Sequence, residues 1–195
     1  MSSVNVLNII PKTPIAKFSE PYSFEIIFEV LSELKNEIEW KMVYITSDNE
    51  KNDQILNEIE IDPPNQLGQM RFEFTGDAPK IEKIPENDLI GVAAILLSCS
   101  YNNQEFFRCG YYLNINYDNE EMNINMPEKV MVDHLVRNLL ADKPRIVRYE
   151  IDWEGENGKN MNINDGAGQF MFNEGKMNQD KFKALEKDDT KMDFK

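Results

Sequence analysis

The segment GVAAILLSCSYNNQEFFRCGYYLN, from Gly91 to Asn114, constrains the fold more than any other part of the chain. It reads as two β-strands joined by a tight turn at the asparagines. Successive side chains of a strand point to opposite faces, so a half-exposed strand alternates apolar and polar residues. The first strand does not: Val92 to Leu97 is apolar at every position. Both of its faces therefore need a cover, and only one can be the core of a two-layer domain.

A loop of Asn102, Asn103 and Gln104 places Tyr101 opposite Glu105 and assigns the faces. One carries Ala93, Ile95, Leu97, Cys99 and Tyr101 against Phe107, Cys109, Tyr111 and Leu113, a continuous core surface. The other carries Val92, Ala94, Leu96, Ser98 and Ser100 against Phe106, Arg108, Gly110, Tyr112 and Asn114. A two-residue loop would shift the pairing by one and put Arg108 beside Leu97 in the core, where an unpaired guanidinium costs roughly several kcal/mol. The three-residue loop is the expectation. In that register Cys99 faces Phe107 and lies only diagonally from Cys109, which disfavours a disulfide.

The second face keeps Val92, Ala94, Leu96 and Tyr112 together with Arg108 at one end. A contiguous apolar patch with a polar rim marks an interface, unless another layer of the same chain covers it. The segment VDHLVRNLLADKP is the candidate cover. Leu135, Val136, Leu139 and Leu140 recur with helical spacing, Asp133 is placed to cap, and Pro144 closes the element. His134 then lies on the polar side with Arg137 and Asn138, a surface histidine rather than a catalytic one.

Elsewhere short β-rich runs alternate with turn signals: VNVLNII, YSFEIIFEVL, IEWKMVYITS, QILNEIEI, MRFEFTG and RIVRYEIDW, with DPPN, GDAP and IPEND between them. About eight such strands make a β-sandwich the expected architecture. With 195 residues the chain has room for one core. That domain is expected over residues 1–153, followed by a disordered polar tail over 154–195 that is rich in Gly, Asn, Lys and Asp.

The formal net charge is -14. Of 35 acidic and 21 basic residues only nine and seven follow Trp153, so the acidity belongs to the domain. Such a charge opposes direct nucleic-acid binding and favours a basic partner. Without an apolar run of membrane length or a leader, the chain is expected to be soluble and intracellular, with no membrane partner. Two cysteines and one histidine make no metal set. Asp48, Glu50, Asp53 and Asp88 could frame the apolar patch, but no nucleophile–base pair, phosphate loop or H-E-x-x-H motif accompanies them. No enzyme and no cofactor is expected.

PYSFEIIFEVL, IEWKMVYITS, DQIL, FTGDAP, ILLSCSY, QEFFRCGYYLNINY and VDHLVRNLLADKPRIVRYEIDW, in this order, resemble the anti-silencing-function family of histone H3-H4 chaperones from Met1 to about Trp153. The resemblance implies an immunoglobulin-like β-sandwich with short helices in its connections and no catalytic activity. It implies binding of one H3-H4 dimer, a block to tetramer formation, and service in nucleosome assembly and disassembly in the nucleus, with a bearing on transcription. The histone H3-facing surface would be Ile45, Val92, Ala94, Leu96 and Tyr112, with Asp53, Asp88 and Arg108 as charged partners. The histone H4 strand would add to a sheet edge near Tyr111 and Tyr112, with Val6, Arg145, Ile146 and Val147 close by.

A second surface of that family takes a basic segment from co-chaperones of replication-coupled and replication-independent assembly. The matching positions are Glu37, Glu39, Phe28, Ile59, Ile61 and Phe72. This chain departs from the pattern at Asn36, where an acidic residue is common, at Glu60, where an apolar one is, and at Ala94, where valine is usual. The reading from a different class is an intracellular immunoglobulin-like carrier of a lipid or prenyl group held between the sheets.

Overall fold

The computed structural model describes residues 2–46, 50–64 and 66–155, with backbone alone at Glu50. Strands follow in the order β1 (Val4–Pro11), β2 (Ile15–Lys17), β3 (Tyr22–Val30), β4 (Ile38–Ile45), β5 (Gln54–Ile61) and β6 (Gly68–Gly76). The hairpin supplies β7 (Gly91–Tyr101) and β8 (Gln104–Tyr117), and β9 (Leu135–Leu139) and β10 (Arg145–Arg148) follow. One short helix, α1 (Glu120–Ile124), starts where the Asn119 side chain accepts from the Glu121 amide. Single 3-10 turns occupy Glu50–Asn52, Ile81–Lys83, Glu86–Asp88 and Val132–His134.

The strands form two antiparallel sheets that pack as a sandwich, the expected all-β class. The smaller has the order β1-β3-β6; the larger runs β2-β9-β8-β7-β4-β5, with β10 also paired to β8. β3 alternates buried and half-buried residues without a break, because Tyr22, Phe24, Ile26, Phe28 and Val30 point inward. Aromatic rings fill the space between the sheets: Phe24 stacks on Tyr111 at 5.6 Å, and Trp40 meets Phe72 edge-on at 5.8 Å. The strand apolar on both faces is central, flanked by β4 and β8.

Three expectations change. The first concerns the hairpin tip, which turns on two residues, with Asn102 at φ 52° and Asn103 at φ 58°. Asparagine tolerates this left-handed region, which two-residue hairpin turns require. Tyr101 pairs with Gln104 and Ser100 with Glu105, yet Cys99 pairs with Phe107. A β-bulge at Phe106 absorbs the offset, so below the tip the register is the expected one and Arg108 stays off the core face, opposite Ser98.

The second concerns the expected helix, which is a 3-10 turn followed by strand β9. Leu135 and Leu139 face inward, and so does Arg137, which is fully buried. Its guanidinium donates to the carbonyls of Lys17, Glu20 and Pro21 and lies 3.7 Å from the centre of the Tyr22 ring. A strand with arginine at its middle inward position does not alternate in hydropathy, and that disguised it as a helix. His134 is on the surface, as expected, with Nδ1 3.2 Å from Asp118 Oδ1.

The third concerns the two-faced strand. β9 is a strand of the same sheet, paired with β8, so the segment expected to cover the second face does not lie over it. Both cysteines are buried and free, in keeping with their diagonal placement. The expected tail falls, after Gly155, outside the described residues.

Candidate functional site

The outer face of the larger sheet brings together the apolar residues singled out from the sequence. Ala94 pairs with Ile45 on one side and Tyr112 on the other, so three strands contribute one row. The next row is Ile55, Val43, Leu96 and Gly110. Ala94 and Gly110 are small, which keeps that part of the face low between the larger Ile45 and Tyr112. Val92 is 43% accessible, whereas Leu96, Ile45 and Ala94 are buried, at 6%, 3% and 1%. The patch is thus a largely buried apolar row with Val92 exposed at one end, rather than an evenly exposed surface. Ile55, 59% accessible on the same face, extends it onto β5. Its place in DQIL as an outward position of a strand was the signal for it, and sequence reasoning missed it.

Charge is sorted along the strand direction. Asp53 immediately precedes β5 and Asp88 closes the turn before β7, and both belong to the end that carries Ile45 and Val92. Arg108 and Arg145 lie toward the hairpin tip, Arg145 opposite Gly110. The Arg108 guanidinium is held in a fork by Glu105, with Nε to Oε1 at 2.6 Å and Nη2 to Oε2 at 2.9 Å. Arg145 Nη1 reaches the Tyr112 hydroxyl at 3.4 Å. Asp48 and the Glu50 side chain lie outside the described residues.

At Tyr111 and Tyr112 the edge of β8 is already occupied. β7 pairs on one side, and on the other the Tyr112 carbonyl accepts from the Leu140 amide at 2.9 Å, in the gap between β9 and β10. Near Tyr111 and Tyr112 the unpaired strand edge is therefore that of β10. Beside it a cleft of about 60 Å³ opens between β10 and β1, lined by Val6, Phe107, Cys109, Tyr111 and Ile146 among others. Arg148 donates to the Val6 carbonyl across its mouth at 3.2 Å. Tyr111 points inward, its hydroxyl donating to the Ile9 carbonyl at 3.0 Å. Burial pushes the Cys109 thiol up to about 11, opposed in part by a hydrogen bond with Tyr111.

At the far edge Phe28, Phe72, Ile59 and Ile61 all face inward and meet between the two sheets; the Phe28 and Phe72 rings are 6.1 Å apart. Glu39 faces outward on β4, opposite Glu60. It shares Lys41 with Glu58, Nζ lying 3.4 Å from Glu39 and 2.7 Å from Glu58. The hydrogen bond from Lys41 holds the Glu58 carboxyl below its usual range and keeps Lys41 charged above its own. Glu37 is exposed in the β3–β4 loop. The four apolar positions thus form one inward group, and Glu37 and Glu39 stand outside it. Because Glu60 also faces outward, its polarity leaves that apolar group intact.

Residues 1–154 match the family model described as ASF1 like histone chaperone. "Histone chaperone ASF1" of Candida glabrata is 49% identical over 158 residues, 80% of this chain and 52% of that protein. The protein of the same name from Saccharomyces cerevisiae is 48% identical over 158 residues, covering 80% and 56%. "Histone chaperone asf1" of Drosophila melanogaster is 40% identical over 178 residues, covering 90% and 81%. The chain thus spans little more than half the length of the two yeast relatives. A match over the whole sandwich, carried by relatives of one name, decides the family: this chain belongs to the ASF1 like histone chaperones, which are not a class of enzymes.

Proposed function

We propose that this chain is a nuclear chaperone that holds one H3-H4 dimer on the outer face of its larger sheet and so blocks H3-H4 tetramer formation. In that role it serves nucleosome assembly and disassembly. The observation that carries the reading is the row Ile45, Ala94 and Tyr112, apolar across three strands, with Val92 exposed beside it and carboxylates at its end. Such an apolar row takes one face of a helix, and aspartates at its rim take basic residues beside that helix. In this reading Ile45, Val92, Ala94, Leu96 and Tyr112 contact H3, with Asp53, Asp88 and Arg108 at the rim. Arg108 does so while held by Glu105, a pre-ordered geometry that lowers the entropy lost on binding.

The H4 segment adds to the open edge of β10 at Arg145, Ile146 and Val147 and sends an apolar side chain into the cleft beside Val6 and Tyr111. The edge that carries Phe28, Ile59, Ile61 and Phe72, with Glu37 and Glu39 outside that apolar group, receives a basic co-chaperone segment. The net charge of -14 draws such basic partners in from a distance.

Among the described residues no observation favours the carrier. Aromatic rings fill the space between the sheets, and the cleft that opens there holds about 60 Å³, against roughly 300 Å³ or more for ordinary small-molecule sites.

The test is gel filtration of the protein mixed with H3-H4, beside the variant Ala94→Arg. The wild type is expected to split the tetramer into a complex of one chaperone, one H3 and one H4. Ala94→Arg, which buries an unpaired charge in the interface, is expected to fold and to lose the complex. A folded Ala94→Arg that binds with unchanged affinity would falsify the assigned surface.

A further inference from the structure

β10 is a weak element by itself. It has four residues, pairs along one edge only, and leaves Arg145, Ile146 and Arg148 exposed. A strand that short buries too little to hold its register. Its ladder continues one residue further, with the Tyr149 amide donating to the Phe106 carbonyl at 2.9 Å. The chain then runs over the hairpin tip and is fastened there.

Trp153 is the fastener. Its ring stacks on Tyr101 with centroids 5.4 Å apart and tilts against Phe106 at 4.9 Å. Both receiving rings are themselves buried, at 2% and 5% accessible. Around the indole, Gln104 exchanges two hydrogen bonds with the backbone of Asp152, and Asn102 Nδ2 donates to the Gly155 carbonyl at 2.9 Å. The Asp152 carboxylate closes the turn by accepting from the amides of Glu154 and Gly155. The β-bulge makes this seat, because Phe106 is the extra residue it releases from the ladder.

We propose that Trp153 is a positioning residue for strand addition: seated on Tyr101 and Phe106, it holds residues 149–155 down and keeps β10 in register as the edge to which a partner strand pairs. This rests on the reading that the H4 segment adds at β10. It assigns Trp153 an effect on one half of the histone contact only, since Ile45, Ala94 and Tyr112 lie on β4 and on the parts of β7 and β8 remote from the tip, where those strands are held by their own ladders.

The experiment compares the full chain with Trp153→Ala and Trp153→Phe. Amide hydrogen exchange is read at residues 145–149, and affinities are measured for a peptide of the H4 C-terminal strand and a peptide of the H3 C-terminal helix. In Trp153→Ala exchange at 145–149 is expected to quicken at least tenfold and strand-peptide affinity to fall at least tenfold. Helix-peptide affinity should stay within twofold, and Trp153→Phe should restore most of both losses. Unchanged exchange in Trp153→Ala overturns the positioning role, as does an equal loss of both peptides, which would mark a general loosening of the domain. If the wild type fails to bind the strand peptide at all, the strand-addition reading falls and the proposal with it, whatever the exchange result says of the fastener.

Discussion

Arg137 shows how much one residue can decide. Its guanidinium satisfies three carbonyls of the segment between β2 and β3, and burial holds its pKa below the usual value. Hydrogen bonds from a charged donor are worth more than neutral ones, so Arg137→Met, which removes that donor from all three carbonyls and leaves the Lys17 carbonyl with the Glu20 amide, is expected to cost about 3 kcal/mol. A lower urea midpoint with an unchanged slope would show it; an unchanged midpoint would mean that water reaches the carbonyls. Ala94 is the second such residue. Valine there would add two methyl groups to the centre of the row between Ile45 and Tyr112, and by area should strengthen H3-H4 binding by about 1 to 2 kcal/mol. Titration of Ala94→Val beside the wild type checks this, and weaker binding would mean that the low centre is shaped for a larger partner residue.

At the scale of elements, the hairpin depends on two asparagines in the left-handed region. Asn103→Val forces a β-branched residue into that conformation and is expected to destabilise the fold by about 1 to 2 kcal/mol, read by chemical denaturation. Asn103→Gly relieves the backbone and should be neutral or slightly stabilising; if both substitutions behave alike, the turn is not under this constraint. The faces of β7 and β8 were legible before the structure because apolar side chains and Arg108 permit one register only. The bulge was not legible, since Phe106 satisfies either face by composition. β9 was misread for the reason Arg137 supplies: a buried cation interrupts a period of two, and the remaining leucines fall by chance at helical spacing.

At the scale of the molecule, burial sets the alkaline limit of stability. It lifts Cys109 from 9.0 to about 11 and Tyr22 from 10.0 to about 12. Between the ordinary and the raised values the unfolded chain has released protons that the fold retains. Stability is therefore whole below about pH 9 and falls as pH rises toward 12. A melting temperature that declines over this window, with native thiols unreactive at pH 8, is the expected result; fast labelling of Cys99 or Cys109 in the folded protein would contradict it. The acidity acts at this scale too. Association with H3-H4 is expected to slow several-fold as ionic strength is raised, with a smaller change in dissociation, as stopped-flow measurement can show.

What the sequence determined by itself was the β-sandwich, the central hairpin, the division of its faces and the family resemblance. Each rests on alternation or on collinear motifs, and both are properties of the chain read along its length. What only the tertiary structure decided was which residues lie close without being near in sequence. It placed Ile55 beside Val43, turned Glu39 and Glu60 away from the inward apolar group, and closed the β8 edge at Tyr112, leaving the outer edge of β10 unpaired beside it. It also brought Trp153 onto Tyr101 and Phe106. Pairing partners and ring contacts across tens of residues depend on how sheets stack and strands cross over, and no local pattern of side chains encodes that.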